Sequence, residues 1–166
     1  MVYIIMGVSG CGKTTVGEAL AAHLGVDFHD ADGYHPDANR RKMAAGTPLN
    51  DLDRAPWLEA LAEHIQQWNA AGENQGSAVL ACSALKQSYR NVLSRHGGVR
   101  FVYLQGSREL IAQRLADRTG HFFPADLLDT QFADLQPPTN AIVVPIDQPI
   151  NAQVEQIIQT IGETRP

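Results

Sequence analysis

GVSGCGKTT, residues 7 to 15, is the stretch on which the fold turns. Gly7, Gly12, Lys13 and Thr14 satisfy the pattern G-x-x-x-x-G-K-[ST] without a mismatch, the signature of a phosphate-binding loop. A loop whose N–H groups converge on an anion needs backbone angles that side chains obstruct, and Gly7, Gly10 and Gly12 supply them. The main-chain amides of the run, those of Val8, Ser9, Cys11 and Thr15 included, then surround phosphate oxygens. A helix opening near Lys13 adds its positive end, Lys13 reaches the outer phosphates as a point charge, and Thr14 offers its hydroxyl to Mg2+.

The flanks agree with this reading. Val2 to Met6 is a short apolar run suited to a buried strand, and Val16, Leu20 and Leu24 recur at helical spacing after the loop. Further on, 26–32 reads as a short strand ending in Asp30 and Asp32, and 35–46 as a helix stopped by Gly46. Pro56 is expected to open a longer helix with Trp57, Leu58, Leu61, Ile65 and Trp68 on its apolar face. Strands follow at 78–82, 100–105 and 141–145, with helices at 83–95 and 107–118 between them. Val154, Ile157, Ile158 and Ile161 give the last helix a buried stripe. This alternation predicts an α/β domain spanning 1–166, a five-stranded parallel sheet with helices on both faces and ligands at the strands' carboxyl ends. Residues 119–140 contain no strand-like run and read as a lid.

Composition narrows the partners. At 166 residues and 44% hydrophobic content the chain suits one domain with one core. No apolar run approaches membrane-spanning length, so no membrane partner is expected and the location reads as cytoplasmic. A net charge of -5 argues against nucleic acid and leaves any anion site to be built locally. Cys11 and Cys82 form neither a disulfide framework nor a metal-ligand spacing.

Three clusters carry the chemistry. Asp30 and Asp32 lie beside the strand that delivers the nucleotide; on an extended chain their side chains share a face. One can hold the metal's water shell while the other takes the proton of an attacking hydroxyl. No carboxylate follows the third strand, so metal binding falls to Thr14 with Asp30 or Asp32, and Ser83 and Lys86 at that strand end are placed to face an acceptor. Arg114 and Arg118 stand one helical turn apart, where one guanidinium can stack on a base and the other reach phosphate.

The chain resembles the gluconate kinase family of small P-loop kinases. The resemblance rests on residues 7–14, on DADGYHPDANRRKMAAGTPLNDLDRAPWL at 30–58, on CSALKQSYR at 82–90 and on RTGHFFPADLLDTQF at 118–132. It implies a fold like that of shikimate and adenylate kinases, with ATP and Mg2+ as cofactors and D-gluconate phosphorylated at its terminal hydroxyl. It also implies Asp32 as the base, Asp30 in an outer metal role, Arg114 on adenine and Arg118 over the phosphates. The family commonly forms homodimers. Gluconate brings a carboxylate and a row of hydroxyls, so a fixed cation is required; Arg54 and Lys86 are the candidates, with His35 and Asn39 as polar partners. The alternatives are a kinase for another acceptor such as shikimate, or a nucleotide-binding switch. The second would be expected to carry a late N-K-x-D motif, which is absent.

Overall fold

The structure, a computed structural model, describes residues 1–71, 78–118 and 124–163. The elements run β1 (Val2–Met6), α1 (Lys13–Leu24), β2 (Asp27–Asp30), a 3-10 turn (Ala31–Tyr34), α2 (Asp37–Ala44) and α3 (Asp51–Ala71). They continue with β3 (Ala78–Ala81), α4 (Gln87–Leu93), β4 (Val99–Gln105), α5 (Arg108–Ala116), α6 (Ala125–Asp134), β5 (Ile142–Pro145) and α7 (Ile150–Glu163). The five strands form one parallel sheet in the order β2-β3-β1-β4-β5.

Every residue of β1 is buried because both faces of the sheet are covered. Tyr3 and Ile5 pack on one side with Val16 and Leu20 of α1, Ile111 of α5, Leu128 of α6 and Ile157 of α7. Val2, Ile4 and Met6 point the other way, onto Trp57, Leu61 and Ile65 of α3 and Leu93 of α4. The strict alternation is the period of two that an extended chain imposes.

Register places the site. Asp30 lies opposite Ala81, and Ala81 opposite Ile5, so three strands end nearly level. The residues that follow them, the 3-10 turn with Asp32, the Cys82–Ser83 segment and the phosphate-binding loop, therefore meet along one edge. Chain order reverses direction across the sheet at β1, where α/β folds bind their ligands.

Several expected boundaries moved. Pro56 lies inside α3, which begins five residues earlier at Asp51. A reciprocal cap starts the helix: the Asn50 carboxamide oxygen accepts from the Asp53 amide at 2.8 Å, and the Asp53 carboxylate accepts from the Asn50 amide at 2.9 Å. Pro56 cannot donate to the carbonyl of Leu52, but Leu52 is 84% exposed, so water serves it. The expected helix 83–95 begins only at Gln87, because Ala84 adopts a left-handed backbone with φ 44°. In the 119–140 stretch, residues 119–123, His121 among them, lie outside the described residues, while Ala125–Asp134 forms α6. No helix among the described residues is long and apolar enough to cross a membrane.

Candidate active site

Gly7 and Gly12 show why the loop needs glycine. A Cβ on Gly7 would sit 2.8 Å from the Cys11 sulfur and 2.9 Å from the Leu104 carbonyl oxygen. Gly12 caps α1 with φ 99°, a left-handed conformation that turns the helix's free N–H groups toward the cleft. The Lys13 ammonium donates to the carbonyls of Gly7 and Val8, each at 3.1 Å, and so lies over the loop it is expected to serve.

A cleft of about 200 Å³ is lined by Ser9, Gly10, Gly12, Lys13, Thr14, Thr15, Asp30, Asp32, Ser83 and Arg118, with Ala81 and Cys82 at its base. The loop, both aspartates and Arg118 thus share one space. Val8 and Cys11 send their side chains into the core instead and have only main-chain groups to offer. Burial pushes the Cys11 thiol up, against the pull of Lys13. Ser9 is occupied by a residue that sequence reasoning passed over: the Gln131 carboxamide accepts from the Ser9 amide at 2.7 Å and donates to its hydroxyl at 2.9 Å.

The two aspartates differ in geometry. Asp32 is on the 3-10 turn, not on an extended strand, and the Asp30 carboxylate accepts its amide at 2.9 Å. Trp57 holds the same turn by donating its indole N–H to the Ala31 carbonyl at 2.8 Å. Although Asp32 opens onto the cleft, the protein around it and then the Asp30 charge raise its pKa; His35 and Lys13 oppose them. Asp32 is thereby a stronger proton acceptor than an ordinary aspartate.

His35 and Asn39 are buried, not lining the open cleft. His35 stacks on Trp57 with 4.3 Å between ring centres. Asn39 donates to the Asp53 carbonyl at 2.9 Å and lies 3.3 Å from His35 Nδ1. An amide NH2 can only donate, so Nδ1 accepts and Nε2 carries the imidazole proton. Burial lowers the His35 pKa, and Asp32 and Arg54 both lie close enough to act on it. Arg54 in turn reaches Tyr89 and Asp51, and Lys86 reaches Asp51, so the cationic pair forms one cluster, whose Arg54 also acts on His35.

Arg114 donates to the Ile146 carbonyl, which places it at the β5–α7 junction. Arg118 falls just past the end of α5 and lines the cleft, so helical spacing does not hold the two together as expected.

Arg90 is the other residue missed. Only 2% exposed, it donates to the carbonyls of Ala84 (2.8 Å), Leu85 (3.0 Å) and Gln136 (2.7 Å), and to the Gln87 carboxamide (2.8 Å). These bonds tie the segment after β3 to the chain after α6 and hold Ala84 in its left-handed conformation. Arg90→Met leaves the buried Ala84 carbonyl without this donor and cuts the ties to Leu85 and Gln136, so it is expected to destabilise the fold by about 2 to 3 kcal/mol, and Arg90→Lys to recover little of it. Urea denaturation of the three proteins measures both.

The donors around the cleft suit a hard cation. Thr14 and Asp30 offer oxygen, while burial pushes the neighbouring Cys82 thiol up to about 12 and keeps it protonated. Among the described residues no group of three or more His, Cys, Asp or Glu could hold a metal by itself. Mg2+ held by one or two protein oxygens, phosphates and waters fits that sparse set.

The chain is similar to known proteins over most of its length. A family model described as shikimate kinase matches residues 9–132. The thermoresistant gluconokinase of Escherichia coli (strain K12) is 44% identical over 169 residues, 96% of this chain and 93% of the relative. A probable gluconokinase of Xenopus tropicalis is 44% identical, with 95% and 91% covered. The crystal structure of a gluconokinase from Sinorhizobium meliloti 1021 aligns with a TM-score of 0.85 at 39% identity, over 98% of this chain and 91% of that one.

Proposed function

This chain belongs to the gluconokinase family, and from that membership we propose how its residues divide the work of moving the γ-phosphoryl group of ATP to the terminal hydroxyl of D-gluconate. The carrying observation is that Asp32, with its raised pKa, opens into the same cleft as Lys13 and the phosphate-binding loop. The amides of Gly10 to Thr15 hold the triphosphate, and Lys13 offsets charge on the oxygens of the transferred group. Asp32 orients the acceptor hydroxyl and takes its proton as the new O–P bond forms and the bond to the β-phosphate oxygen breaks, releasing ADP. Thr14 and Asp30 are the protein oxygens that would hold Mg2+, which when bound neutralises phosphate charge. Arg118, which lines the same cleft, is assigned to the phosphates, and Arg114 at the β5–α7 junction to the base.

Arg54 and Lys86 are assigned to the gluconate carboxylate. His35 and Asn39, buried and outside the open cleft, are assigned a supporting part: Asn39 fixes the neutral imidazole, on which Asp32 and Arg54 both act. Losing one partner of a desolvated charge pair costs about 2 to 5 kcal/mol. Arg54→Ala is therefore expected to raise the KM for gluconate at least about thirtyfold, with the KM for ATP within about twofold of the parent. Steady-state kinetics with each substrate varied reads both. Release of ADP with gluconate, shikimate and nucleoside monophosphates offered separately tests the acceptor itself; release independent of acceptor would overturn the assignment.

A further inference from the structure

The cations assigned to the substrate already hold an anion. Tyr89 donates its hydroxyl to the Asp51 carboxylate at 2.5 Å, and the Lys86 ammonium donates to the two Asp51 oxygens at 3.2 and 3.3 Å. Arg54 lies 3.9 Å from the Asp51 oxygen that Tyr89 and Lys86 share, and 3.5 Å from the Tyr89 hydroxyl. Both cations rest beside the Tyr89 ring, 5.9 Å and 5.5 Å from its centre. Two cations and one phenol converging on one carboxylate oxygen is the donor set that an aldonate's acid group requires.

We propose that Asp51 is a resident stand-in for the substrate carboxylate, which the incoming acid group must displace from Lys86, Arg54 and Tyr89. The proposal rests on the assignment of Arg54 and Lys86 to gluconate. Its geometry is suited to exchange. The Asp51 side chain is 65% exposed, and the cap of α3 is made by Asn50 and Asp53 without it. An ion pair open to water is weak enough to be given up for one that bound substrate shields, whereas a buried one would not be. A neutral polyol brings only hydroxyls, which do not displace a carboxylate from two cations. Asp51 therefore acts as a specificity residue favouring acidic acceptors. The hydrogen bonds from Tyr89 and then Lys86 hold its carboxyl below the usual carboxylate range, so it remains ionised wherever gluconate is.

The test uses the full chain with Asp51→Asn, which keeps the shape and removes the competing charge. The KM for gluconate is expected to fall about two- to fivefold, the worth of an exposed ion pair, with the KM for ATP unchanged. A merely structural Asp51 would leave that KM unchanged or raise it, and either result overturns the proposal. Asp51→Ala is run beside it, and a rise in gluconate KM there while Asp51→Asn shows none of the expected fall also overturns it. Lys86→Met and Arg54→Ala form a separate arm. If both leave the gluconate KM untouched, the assignment of the carboxylate site has failed; if they raise it while Asp51→Asn does not lower it, only the stand-in has.

Discussion

Lys13→Ala lowers kcat about a thousandfold, with gluconate binding nearly unchanged. The figure follows from removing one positioned charge donor from a transferring group. Lys13 is not part of the acceptor cluster, and among the described residues its hydrogen bonds go to two loop carbonyls, so the variant should fold and still bind gluconate. Lys13→Arg should restore little, since a planar fork does not fit where a point charge sits above a tight loop. Single-turnover kinetics in rapid-quench samples would separate loss of the chemical step from loss of ATP binding. A thousandfold effect confined to ATP affinity would reassign Lys13 to holding the nucleotide alone.

Asp32→Asn lowers kcat by about two to four orders of magnitude, as loss of a positioned base does. Its second effect runs the other way. The folded-state pKa of Asp32 lies above its unfolded value, so the ionised carboxylate opposes folding at neutral pH. That cost is absent below the unfolded pKa, where the group is protonated in both states, and grows as pH rises through the folded pKa. Asp32→Asn is accordingly expected to melt higher than the parent at pH 7, and the gap to close on acidification. The parent's kcat/KM for gluconate, taken at saturating ATP, should fall on acidification with a midpoint above the ordinary aspartate value. The variant should lack that limb. An unchanged acid limb would assign the titration to another group. Scanning calorimetry and pH-rate profiles on the same two proteins measure both halves.

The sheet and the phosphate-binding loop were legible because their signals are local. A run of glycines with Lys13 and Thr14, and apolar strands alternating with helical stripes, each lie within about ten consecutive residues. The site was legible only where its members sit in such runs, as Asp30, Asp32 and Thr14 do. Gln131 and Arg90 escaped because their partners are remote: Ser9 lies 122 positions from Gln131, and Gln136 lies 46 from Arg90. Arg90 in particular reads in sequence as one more surface cation, and only the fold reveals that it is spent on neutral carbonyls. Asp51 and Tyr89, 38 apart, were hidden for the same reason. The start of α3 is different. Asn50 and Asp53 stand at the spacing of a reciprocal cap, a cue strong enough to have outweighed Pro56.

The level strand ends have an evolutionary implication. With β1, β2 and β3 finishing side by side, the phosphate-binding loop is anchored by one strand and the residues assigned to the acceptor by its neighbours' trailing segments. Exchanging residues 33–54 for those of a kinase with a different acceptor would leave Gly7 to Thr15 unaltered, whereas an exchange of 84–90 would have to keep Arg90 and its tie to Gln136. Chimaeras cut at Asp32 and Ser83 are the places to begin rewriting acceptor choice.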